Sequence, residues 1–230
     1  MPLRDSYGNH SGFRIPVESV WLMWAAALAA QFNRSAHGKR YVAHLGVHGG
    51  FNPDELSANV IATRGDWESS DDEPVANFWF KFPAFSPPQC ELLVKDLEDE
   101  LKVVGAIELV LPSTRSNARE RQRFVSKCLS FLSSGVGLVV VDAVAGNGKS
   151  LHNVLLSCFR APNSFRLSAE ANFAVSYSLL SGDEPEFMFS PHALEVGQPI
   201  PSFPLQLLQG PEVLIDLEAA YEQALADLNL

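Results

Sequence analysis

Cysteine is scarce in this 230-residue chain: Cys90, Cys128 and Cys158 stand far apart, with no CxxC pair. An odd, dispersed set makes no disulfide framework and lacks the paired spacing of a zinc knuckle. Cys128 and Cys158 lie in apolar contexts and read as small buried hydrophobes. Positive charge is also short. Lysine and arginine number 17 against 27 acids, a formal net charge of -10. Such a chain is a poor non-specific coat for nucleic acid, because phosphates call for a basic surface. A metal-dependent nuclease stays open, since a bound cation brings its own positive field. There is no long apolar run. The stretch Trp21–Ala30 falls well short of the roughly 20 residues that span a bilayer. Met1 to Gly12 lack the apolar core of a signal peptide, and no internal repeat is visible. These absences lead to the expectation of a cytoplasmic, reduced protein that does not enter a membrane.

What is present is a globular composition, 47% hydrophobic and 19% charged, long enough to bury a real core. We expect one α/β domain over residues 1–230, with 1–16 as an extended arm and a central mixed β-sheet flanked by helices. Trp21, Trp24, Ala25, Leu28 and Phe32 recur at helical spacing and predict a helix from Val17 to Arg34. Strands are expected at Arg40–Val47 and Glu55–Thr63. Asp66–Pro74, dense in acids and without an aliphatic side chain, reads as a solvated loop. Cys90–Asp96 alternates and predicts a strand, Leu97–Glu100 a hairpin turn, and Lys102–Leu111 a buried strand. After a polar turn at Ser113-Thr114, a helix from about Asn117 to Ser133 should bury Phe124, Cys128, Phe131 and Leu132, and Gly135 should end it. GLVVVD at 137–142 reads as an interior strand, and Leu151–Phe159 as a short helix. Ala174–Leu180 and Glu186–Phe189 are candidate strands. Pro199, Pro201 and Pro204 suggest a connection before a final helix over Leu214–Leu228.

Two segments could carry chemistry. Gly146-Asn147-Gly148-Lys149-Ser150 sits between a strand and a helix, where a phosphate-binding loop would be. The full pattern needs glycine at position 143, which is Ala143, and no strand ending in a suitable aspartate follows. We therefore read a polar turn before a helix N-terminus. The second segment is more specific. Glu108 stands in the aliphatic run VVGAIELVL, where an unpaired carboxylate is costly. Alternation puts it on the face of Ala106 and Val110. Across the hairpin turn, Glu91 should come within about two residues of facing it, and two such acids repel without a cation. Lys127 lies about 60° from Phe124 and about 40° from Phe131 on the helical wheel, on the shoulder of the apolar face. It can reach the acids, or simply snorkel to water. Arg115, Arg119, Arg121 and Arg123 read as a solvated face rather than as phosphate contacts.

Glu108, Pro112-Ser113-Thr114, Lys127 with Phe131 four residues on, Gly135-Val136 and Val141-Asp142 together resemble the Uma-type endonucleases, a bacterial branch of the PD-(D/E)xK superfamily. The match covers about residues 90–142, with an echo at Glu18 in the first helix. It implies a restriction-endonuclease-like core and a Mg²⁺-dependent nuclease acting on DNA or RNA, or a member of the family that has lost the activity. Carboxylates of that kind hold a cation that polarises a phosphate and acidifies a bound water, while a lysine steadies the water or the developing charge. In the usual arrangement that lysine lies two residues after the glutamate, here Val110; the Uma-type pattern moves it to the following helix, implying Lys127. Glu91, Glu108 and Asp54 are then the metal ligands, with Asp54 taken from the isolated pair Pro53-Asp54. Asn59 would be a poorer ligand in the place of the third acid. The alternative is a non-catalytic interaction protein on the same scaffold. In that case the aromatic stretch Phe78–Phe85 would be the partner surface, since such a cluster is more often core or dimer contact than a base-stacking platform.

Overall fold

The computed structural model describes residues 17–48, 89–143, 150–168, 171–180 and 186–229. The described residues form an α/β fold around a six-stranded mixed sheet. Helix α1 (Val17–Arg34) leads, through a short 3-10 turn, into β1 (Tyr41–His48). Strands β2 (Gln89–Asp96) and β3 (Lys102–Leu109) form a hairpin. The short helix α2 (Pro112–Ser116) and the longer α3 (Ala118–Ser133) cross over to β4 (Gly137–Asp142). Then come α4 (Leu151–Cys158), β5 (Asn172–Leu180), β6 (Glu186–Leu194), the small pair β7 (Phe203–Gln206) and β8 (Glu212–Ile215), and α5 (Leu217–Asp227). The sheet order is β1-β2-β3-β4-β5-β6. Strands β3 and β4 run parallel, and β2–β3, β4–β5 and β5–β6 are antiparallel.

Both faces of the sheet are covered at its centre, which is why β4 reads as an unbroken apolar run. On one face Ile107, Leu109, Val139 and Val141 pack with α1, α5 and the β7–β8 pair. Trp21, Trp24, Ala25, Leu28 and Phe32 are all buried there, as the helical spacing predicts. The indoles also hold their polar ends, since Trp21 Nε1 donates to the Val110 carbonyl at 2.7 Å and Trp24 Nε1 to that of Leu217 at 3.0 Å. On the other face Ala106, Val110, Leu138, Val140 and Val175 pack under α3 and α4. Phe124, Cys128 and Leu132 are buried as expected, whereas Phe131 is only partly buried and Val125 takes the deeper place.

Helix α3 starts and stops for local reasons. The Asn117 side chain accepts from the amides of Arg119 and Glu120. At the far end the Val136 amide donates to the Phe131 carbonyl and the Gly135 amide to that of Leu132, both at 3.0 Å. This is a Schellman cap, and Gly135 adopts the left-handed φ of 77° that it requires.

Several expectations need correction. Ser113 and Thr114 lie within α2, with Pro112 as its first residue, and β3 stops at Leu109. The last helix begins at Leu217; residues 212–215 are a strand paired with 203–206, a region whose prolines suggested only a connection. Proline is tolerated there because the two strands stand as a separate pair, where the missing amide breaks no central ladder. Cys158 is exposed at the end of α4 instead of buried. The expected strand at Glu55–Thr63, Asn59, the loop Asp66–Pro74, the stretch Phe78–Phe85 and residues 146–149 lie outside the described residues. Among the described residues no helix is long and apolar enough to cross a membrane.

Candidate functional site

The β2–β3 hairpin sets the register of the site. Arg40 donates from Nη2 to Asp96 Oδ2 at 2.8 Å, and the Glu98 amide donates to Asp96 Oδ1 at 2.9 Å. These bonds fix the start of the turn, and hydrogen bonding to Arg40 holds the Asp96 carboxyl below its ordinary range. The turn closes with Glu100 and Leu101 at positive φ. Counting back along the ladder, Glu91 pairs directly with Glu108. Antiparallel partners project to the same face, here the face beneath α3.

Lys127 comes down from α3 between the two acids. Its Nζ lies 2.9 Å from Glu91 Oε2, 2.8 Å from Glu108 Oε1 and 3.0 Å from Glu108 Oε2. Both carboxylates are buried, while the lysine side chain keeps 21% of its exposure, so the cluster meets solvent on the lysine side. Gly46 on β1 backs it. A Cβ at Gly46 would stand 2.5 Å from Glu91 Oε1, which leaves glycine as the residue that lets this carboxylate lie flat against the strand.

Burial pushes the Glu108 carboxyl up, Lys127 pulls it back and Glu91 pushes it up again, to about 8. Burial thus favours the protonated form of Glu108, and the Lys127 ammonium lies between it and Glu91. Burial alone would lower the Lys127 pKa, but Glu108 and Glu91 outweigh it and raise it. Cys90, beside Glu91 in sequence, is pushed up to about 12, chiefly by burial. It is an inert thiol whose Sγ donates to the Trp21 carbonyl.

Of the residues singled out from sequence, Glu91, Glu108 and Lys127 converge. Asp54 lies outside the described residues. Glu18 is exposed in the first turn of α1, and no group of three His, Cys, Asp or Glu side chains fit to hold a metal forms among the described residues. Ser150, from the near-phosphate-loop segment, is buried and caps α4, accepting from the Asn153 amide.

A second charged cluster on the same face escaped the sequence reading. Arg115, expected on a solvated face, is 3% exposed, and its Nη1 lies 3.6 Å from Oδ1 of the fully buried Asp142. Asp142 continues the row Leu138, Val140, and Val140 is the register partner of Glu108. The signal was present: an acid that ends the apolar run GLVVVD needs a cation, and Arg115 follows the parallel neighbour strand.

Comparison of the chain with protein-family models, with curated proteins and with solved structures gives no match.

Proposed function

We propose that the chain is a metal-dependent phosphodiesterase of the nuclease type, with Glu91 and Glu108 as cation ligands and Lys127 as the group that steadies the attacking water or the developing charge. The observation that supports this most is the direct pairing of two buried carboxylates around one partly exposed ammonium. The donor set fits a hard cation, since Mg²⁺ and Mn²⁺ take carboxylate oxygens. Bound there, the ion would polarise a phosphate and lower the pKa of a water. The chain's own part is to hold Glu91 flat beside Gly46, to release the proton of Glu108 as a cation arrives, and to keep Lys127 within reach of both acids. Asp54 remains the proposed third acid.

A second reading has its own support. Lys127 already balances the charge of the acids, so the cluster also works as a buried ion pair clamping α3 to the sheet, in a protein that catalyses nothing. Cleavage of labelled single- and double-stranded DNA and RNA, with Mg²⁺ or Mn²⁺ and with chelator, separates the two. The phosphodiesterase reading expects metal-dependent cleavage that Glu108→Gln reduces by at least about 100-fold, the scale of a lost electrostatic contributor. Metal-independent inertness of the wild type on all four substrates would leave the clamp.

A further inference from the structure

Helices α3 and α4 end in the same cap but with different residues. At the end of α4 the Ala161 amide donates to the Leu156 carbonyl at 3.0 Å and the Arg160 amide to that of Ser157 at 3.2 Å. This is again the Schellman pattern, yet the left-handed position, φ 54°, is occupied by Arg160 instead of glycine. A side chain there is strained by its own Cβ. Strain kept in this way points toward a use for the side chain.

The surroundings indicate what use. Phe159 and Phe165 are 36% and 48% exposed, large rings left in water on one surface. Phe159 stacks on Phe187 with centroids 4.1 Å apart, Phe187 meets Phe189 at 5.8 Å, and Phe189 meets Phe165 edge-on at 5.3 Å. The inner rings thus anchor the two outer ones. Arg166 is exposed beside them, its Nη2 donating to Ser157 Oγ at 3.0 Å. Neither Arg160 nor Arg166 makes an ion pair with a carboxylate among the described residues. The nearest exposed acid in the strand sequence, Glu186, alternates to the opposite face from Phe187. On a chain of net charge -10, the described residues here gather two arginines and two exposed rings.

We infer that Phe159, Arg160, Phe165 and Arg166 form a binding surface for single-stranded nucleic acid, with bases stacked on the two phenylalanines and phosphates held by the two arginines. Unpaired bases offer the π-faces that such a platform takes, and duplexes do not. The inference deepens the phosphodiesterase reading, on which its place in catalysis rests, by naming single strands as the substrate class. Its structural support is separate from Glu91, Glu108 and Lys127.

Fluorescence anisotropy of a labelled oligothymidylate of about 12 nucleotides, measured in EDTA, tests it. Wild type and Glu108→Gln should bind alike. Binding should weaken as salt rises from about 50 mM to about 200 mM, and loss of two phosphate contacts should reduce the log–log salt slope by about 1.4. Phe165→Ala should weaken binding roughly tenfold. Arg160→Gly is the decisive variant, because it removes the left-handed strain and should raise the melting temperature while it weakens binding. Unchanged binding in Arg160→Gly and Phe165→Ala overturns the proposal. So does a wild type that does not bind the oligonucleotide, or patch variants whose only change is in oligomeric state, which would assign the surface to a second copy of the chain. Oligonucleotide binding without cleavage under any metal keeps the surface and removes the phosphodiesterase reading. Cleavage of duplex with no single-strand binding does the reverse.

Discussion

Two charged clusters lie on one face of the same sheet, and they are built on different principles. Arg115 and Asp142 set a cation against an anion, with both side chains almost wholly removed from water. Glu91, Glu108 and Lys127 bring two acids to one base, and the base keeps a path to solvent. In the second, burial and the neighbouring Glu91 favour the protonated form of Glu108. A sealed pair holds α2 against the end of β4; an acid-rich cluster with an open side has room to exchange a proton for a cation.

That contrast can be broken most sharply at the sealed pair. Asp142→Asn leaves the Arg115 guanidinium buried without its anion and should cost about 3–5 kcal/mol in urea unfolding. A loss below about 1 kcal/mol would mean that water or other groups carry Arg115, and the two clusters would not differ in kind.

The open cluster should instead reveal itself through pH. The Glu108 carboxyl rises from its ordinary 4.5 to about 8 in the folded chain. Between those values the native state holds a proton that the unfolded state has released. Stability is thus fully present below about pH 4.5 and declines as pH rises through about 8, by an amount on the order of a few kcal/mol. Glu108→Gln mimics the protonated acid, so it should flatten this slope and be the more stable form at alkaline pH. Parallel pH–stability curves for the two proteins would show that folding does not shift the Glu108 pKa.

Much of this was legible in the residues, for physical reasons. Helix α1 declares itself through tryptophan, leucine and phenylalanine at helical spacing, and β4 through an apolar run that only an interior strand would carry. Glu108 stands out because an acid in an aliphatic strand needs an explanation, and a short turn is enough to place Glu91 opposite it. Lys127 was ambiguous on the wheel, and packing put it between the acids. Other features depended on distant parts of the chain. Arg115 sits among arginines that do face water, and its partner lies across a parallel crossover. Residues 203–206 pair with 212–215 despite Pro204, because that strand pair stands apart from the main sheet. Cys158 occupies the last turn of α4, where apolar neighbours in sequence are not neighbours in space. Arg160 gave no signal, since a left-handed φ is set by the cap and not by the residue.

The most direct test of the site is thermal unfolding with and without Mn²⁺. A ligand that binds only the folded state stabilises it by mass action, about 2.7 kcal/mol at a hundredfold excess over Kd. Wild type should melt higher as Mn²⁺ is added, with the increase growing from pH 6 to pH 8 as the Glu108 proton becomes easier to displace, and Glu108→Gln should show no increase. A wild type whose melting temperature does not respond to Mn²⁺ at either pH, or an equal response in Glu108→Gln, would contradict a cation site at Glu91 and Glu108.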